Sequence, residues 1–158
     1  MPITGYLEIP NIDGESTSTH HESEIDVHGM KWAVEQMTGS SAGRGRVKAR
    51  ADMSPLSVRK YYDAASPYLA QAVHQAKVFD EVVLSVRKDS GDAHLDYLII
   101  KMERAVLTSY TVSSNDDEPN DQTLTETVDI EFEAINITYA QQNNATGATI
   151  EHEVELSG

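Results

Sequence analysis

The chain has 158 residues, a length suited to one domain with a hydrophobic core of its own. Its 12 Lys and Arg against 26 Asp and Glu leave a formal charge of −14, which argues against nucleic acid or an anionic membrane as partner, and the lack of cysteine removes disulfide scaffolds, thiolate zinc sites and cysteine nucleophiles. No stretch approaches the roughly 18 consecutive apolar residues of a membrane span, and Met1 to Asn11 lacks the basic start and apolar run of a cleaved secretory signal, so the product is expected to begin in the cytoplasm.

From the N-terminus, Asn11 to Ser23 is polar and reads as a break between elements. At its end stands the nearest approach to a metal cluster, His20, His21, Glu22 and Glu24. Adjacent histidines on a strand point to opposite sides, and the spacing matches neither HExxH nor a zinc finger, so the group is read as a solvated loop without metal. Beyond it, Met30 and Trp32 share strand parity; if they pack in a core, Gly29, Lys31 and Ala33 face the other way. Thr38 to Gly45 (TGSSAGRG) is a flexible loop, the start of an extended connection over 38–53. Charge then changes sign: Arg44 to Lys60 carries six bases and one acid, with Arg44, Arg46, Lys48 and Arg50 at alternate positions. Such a segment either meets acidic surface on another copy of the chain or is simply solvated.

The helical signal lies in Ser66 to Val78, where Ser66 suits the N-cap, Pro67 the first helical position, and Leu69, Ala72, Val73 and Ala76 form one apolar stripe ahead of Lys77. Glu81 to Lys88 alternates, with Val82, Leu84 and Val86 on one face, and Asp89 to Ala93 reads as a hairpin turn. Leu95 to Val112 is long for one strand. Its Leu98, Ile100, Met102, Val106, Thr108, Tyr110 and Val112 share parity, and a bend or bulge is expected near Glu103 and Arg104. Residues 113–122 form an acidic loop that lacks calcium-loop spacing. From Thr127 to Tyr139 the apolar parity runs Val128, Ile130, Phe132, Ala134 and then Ile135, Ile137, Tyr139, which requires an extra residue or a change of sheet near Ala134. Several strands, one helix and polar turns describe an all-β barrel or sandwich, one domain over 1–158. With no GxSxG, Walker or dinucleotide motif in the chain, neither an enzyme nor a cofactor is expected.

The order of motifs carries more than any one of them. Gly14-Glu15-Ser16, a histidine at 20 or 21, and Glu24-Ile25-Asp26-Val27 leading to Trp32 resemble the opening of the haemolysin-coregulated protein (Hcp) family, tube subunits of type VI secretion. Ser66-Pro67 with Leu69, Leu84-Ser85-Val86-Arg87-Lys88, Tyr97-Leu98-Ile99-Ile100, Val106 to Tyr110, and Thr125 through Tyr139 and Gln141 continue the likeness over about residues 5 to 147. The chain has Met30-Lys31-Trp32 where the family shows Trp-x-Trp, and its tail, 148–158, diverges from the family's Trp-containing end.

The resemblance implies a small β-barrel of two sheets with one flanking helix, closed by rotation into a hexameric ring that stacks into a tube. It implies that the tube is loaded in the cytoplasm, then expelled by a contractile sheath with a spike at its tip and effectors in its lumen, without a cleaved signal. In the family the middle residue of Trp-x-Trp lines the channel, so Lys31, with Gly29 and Ala33, is the expected effector contact. The loop bearing Arg44, Arg46, Lys48 and Arg50 is the expected ring or stacking contact. A phage-type tail tube subunit, or a monomeric β-sandwich binding module, would share much of this pattern.

Overall fold

A computed structural model describes residues 3–36, 51–90, 93–114, 120, 122–142 and 149–157. Alternating burial builds the central hairpin. In β7 (Val78–Ser90) Val82, Leu84 and Val86 are buried as the alternation requires, and Ser90 pairs with Ala93, which opens β8 (Ala93–Ser114); residues 91 and 92 of the hairpin turn expected over Asp89 to Ala93 lie outside the described residues.

β8 does not keep one core face along its length. Ile100 and Met102 are buried, then Ala105 and Leu107, so parity reverses at Arg104, whose φ of 48° is left-handed. β7 reverses at the same point: Val82 lies opposite Met102, and buried Phe79 lies opposite Ala105. The bend expected near Glu103 and Arg104 is there, but both strands turn over together with register intact, which corrects the expectation that Val106 and Thr108 continue the core face. A second irregularity leaves Thr108 unmatched between Leu107 and Ser109 and returns Tyr110 to the core side opposite Val128.

The parity change near Ala134 is a change of sheet. β9 (Leu124–Glu131) pairs with the second half of β8 and with β6 (Leu56–Tyr61); β10 (Ala134–Gln142) pairs with the first half of β8 and with β11 (Thr149–Ser157). Phe132 sits at the break, partly buried against the core, and does not extend β9. Strands that periodicity did not announce include β1 (Thr4–Glu8), which pairs with β7 and with β2 (Ile25–Val27), β2 and β6 themselves, and β11, which occupies the segment read as a tail; Ala51–Met53, read as the end of the loop over 38–53, is also a strand.

The nine-stranded sheet runs β2-β1-β7-β8-β9-β6-β3, with β3 spanning Gly29–Lys31, and it folds over itself. One layer holds β2, β1, β7, the first half of β8, β10 and β11; the other holds β3, β6, β9 and the second half of β8. The layers join at the β8 bend and at His28, between β2 and β3. Leu7, Ile25, Leu56, Val58, Leu84, Met102, Ile130 and Ile135 lose all exposure between them. Each such side chain contributes about 1.5 to 3 kcal/mol by leaving water. A small separate ribbon pairs β4 (Val34–Gln36) with β5 (Ala51–Met53).

The helix α1 (Ser66–His74) buries Leu69 and Ala72 on this core. It is shorter than the apolar stripe predicts, because Ala76 takes φ 50° and ends it; Lys77 lies beyond, its ammonium over the Phe79 ring at 5.4 Å. Ala65, not Ser66, is the N-cap, since the Ser66 side chain is committed elsewhere.

Candidate functional site

The same alternation that buries one face of the four-stranded layer turns a polar face outward. On β6 the core side takes Leu56, Val58 and Lys60, leaving Ser57, Arg59 and Tyr61 outside; on β9 it takes Glu126, Val128 and Ile130, leaving Thr125, Thr127, Asp129 and Glu131. Register aligns these into rows across β3, β6, β9 and β8. One row is Lys31, Ser57, Asp129 and Ser109; the next is Gly29, Arg59, Thr127 and Thr111. Hydroxyls dominate the face, and it offers hydrogen bonds and charge but no activated nucleophile.

The structure separates the three residues expected on this face. Lys31 and Ala33 are exposed, whereas Gly29 is buried beneath Arg59. A β-carbon on Gly29 would stand 2.5 Å from Arg59 Nε and 2.8 Å from its Nη2, so the guanidinium lies flat on the glycine backbone. Lys31 makes no ion pair with any described residue; Asp129, in the same row beyond Ser57, accepts a hydrogen bond from Ser57 Oγ. Arg44, Arg46, Lys48 and Arg50 lie outside the described residues. Arg59 was not singled out from the sequence, although parity opposite Val58 and Lys60 marks it as outward.

His28 stacks on Tyr61 with ring centroids 4.4 Å apart, and its Nε2 is buried without a hydrogen-bond partner. Burial first, and the nearby Arg59 cation second, hold its imidazole below the usual histidine range.

Among the described residues, neither edge of this layer pairs with a further strand. β3 pairs only with β6, and beyond Val106 the β7 side of β8 carries no strand among the described residues. Unpaired N–H and C=O groups on such edges recruit further strands.

Two buried polar clusters also went unpredicted. Lys60, counted in the basic run as solvated or docking, is wholly buried, its ammonium within hydrogen-bond reach of Tyr61 O at 2.8 Å, Asp63 at 3.0 Å, Ser66 Oγ at 3.1 Å and Glu126. Ser66 and Tyr110 also donate to Glu126. The loop read as solvated is pinned by His21, which is buried, meets Glu24 through Nδ1 at 3.1 Å and Asp96 through Nε2 at 2.7 Å, and stacks on Tyr6 at 4.4 Å. Burial, the largest influence, pushes the Glu24 carboxyl up, against the opposing pull of His21. Gly14 lets this loop pass over the strand, since a β-carbon there would stand 2.5 Å from Glu24 O.

A mainly β chain, folded as two layers around one core with a polar outer face and open edges, is the class of protein these features define. Residues 6–139 match the family model described as type VI secretion system effector, Hcp, and the chain belongs to that family. The protein Hcp1 of Pseudomonas aeruginosa is 29% identical over 148 residues, covering 94% of this chain and 89% of the relative. A solved structure of a type six secretion system protein superposes with a TM-score of 0.85 at 26% identity, over 98% of this chain and 95% of that one. Hcp1 from Salmonella typhimurium gives 0.72 at 25% identity, covering 97% and 94%. No helix among the described residues is long and apolar enough to cross a membrane.

Proposed function

We propose that this chain is a structural subunit of the type VI secretion tube, closing six copies into a ring through the two open edges of the β3-β6-β9-β8 layer. The observation that carries this reading is the pair of edges. They lie on opposite sides of one sheet, and because every neighbour in the layer is antiparallel, the β8 edge of one copy meets the β3 edge of the next in antiparallel sense. An interface between two different surfaces closes into a ring when its rotation closes, and leaves no edge exposed. Six copies of the four-stranded layer give a channel wall of 24 strands.

In this ring the outward rows line the channel, so Lys31 and Ala33 face the lumen and Gly29 supports Arg59 beside them. The segment with Arg44, Arg46, Lys48 and Arg50 serves ring or stacking contacts, complementing a chain whose residues 105–158 carry eleven acids and no base. Stacked rings form the tube, with spike, sheath and effector proteins as partners, and the sheath expels it from the cytoplasm.

Native mass spectrometry at low micromolar protein, with negative-stain images, tests the reading. Sixfold rings are expected. A strictly monomeric chain over a wide concentration range would remove it.

A further inference from the structure

The outward face carries two cations, Lys31 and Arg59, beside two carboxylates, Asp129 and Glu131. Lys60, Arg87 and Arg104 each lie against a carboxylate, but Arg59 makes no hydrogen bond or ion pair through its side chain with any described residue, and neither does Lys31. Lys31 stands opposite Ser57, so Arg59 is its diagonal neighbour on the same face, a separation of about 7 to 8 Å. The row through Arg59 otherwise holds only glycine and two threonines, and the row through Lys31 has one carboxylate, Asp129, which accepts a hydrogen bond from Ser57 and makes no ion pair with a described residue. The guanidinium packs against Gly29, and its donors meet no described residue. A planar fork of five donors matches a carboxylate bidentately, and a flexible ammonium a few ångströms away takes a second.

We propose that Arg59 and Lys31 form a carboxylate-reading pair that selects cargo presenting an acidic protein segment. This rests on the ring reading, in which six such pairs face one channel. Phosphate would satisfy the same donors, but a long polyanion also meets the −14 charge of every subunit, and only the pair is local enough to reward a short acidic stretch.

The test uses the intact protein, its oligomeric state checked by native mass, and fluorescence anisotropy with a labelled oligoglutamate peptide, an oligolysine peptide and a single-stranded DNA oligonucleotide. Oligoglutamate should bind, oligolysine should not, and added salt should weaken the complex. Arg59→Gln should weaken oligoglutamate about tenfold, the loss of one charge-assisted contact, and Arg59→Lys should recover part of that. Gly29→Ala, which displaces the guanidinium, should weaken it without removing a charge. Intact rings in which Arg59→Gln binds oligoglutamate within about twofold of the parent would overturn the proposal, as would tighter binding of the oligonucleotide than of the peptide. A monomeric parent would instead defeat the ring reading, and peptide binding to that monomer would still judge the pair.

Discussion

Replacing Lys60 by Met removes the cation at the centre of the polar cluster that joins β6, β9 and the start of α1. The ammonium is entirely buried with four oxygens within hydrogen-bond reach of its three donors, and Glu126, equally enclosed, keeps only the hydroxyls of Ser66 and Tyr110 once it is gone. Removing one partner of a buried ion pair costs about 3 to 5 kcal/mol, because the other charge stays in the interior uncompensated. With a urea dependence of about 2 kcal/mol per molar, the midpoint should fall by about 2 M. The double variant Lys60→Met with Glu126→Leu replaces the pair by apolar groups, and it should return to within about 2 kcal/mol of the parent. Chemical denaturation followed by circular dichroism, with the m-value held constant, measures both. A midpoint shift under about 0.5 M for the single variant would show that water reaches Glu126 and that the cluster is not sealed.

His28 gives a pH dependence of definite sign. Its folded pKa lies below the ordinary value of about 6.5, so the unfolded chain binds a proton first, and the stability contributed by the neutral ring is full above that value and lost as pH falls through the lowered one. His28→Phe should flatten the melting temperature between neutral pH and about pH 5, and an unchanged slope would contradict the burial of the ring. Deleting residues 39–45 should leave the barrel folded and weaken assembly, with thermal melts reading the first and native mass the second; unchanged assembly would remove the loop from the interface. Amide hydrogen exchange at Gly29–Lys31 and at residues 108–114 should slow on going from dilute monomer to ring, and equal rates would place the joint elsewhere. Lys31→Glu should keep the ring and change which effectors co-purify; identical cargo and secretion would take Lys31 out of recognition.

Much of the β architecture could be read from residue parity, as Val82, Leu84 and Val86 show, because a half-buried strand must alternate. Parity failed where backbone geometry intervened: a left-handed Arg104 reverses β8, and no residue type at that position announces it. Lys60 and Glu126 were legible in principle, since they sit on the core parity of their strands beside Leu56, Val58, Val128 and Ile130. Side-chain polarity concealed them, because a charge is assigned to solvent until its partner, 66 residues away, is known. The same holds for His21, whose second carboxylate comes from Asp96. β11 shows plain alternation of Ile150, Val154 and Leu156 with glutamates, yet it was set aside as a tail because it diverges from the family's Trp-containing end; in the structure nearly all of it is exposed. On the candidate face, Lys31 was legible by position, while Arg59 needed the cross-strand register that sets it on Gly29.

β8 belongs to both layers, with Arg104 at the fold between them and 22 residues in one covalent run. A force applied to one layer therefore reaches the other through backbone bonds as well as through side-chain packing, which yields far more readily. Sliding of the layers past one another is opposed at the bend, where β7 turns over in step and keeps its register. In mechanical terms the subunit is a single creased plate, and in the proposed tube a thrust on one layer would load the crease at Arg104 as well as the packing between layers.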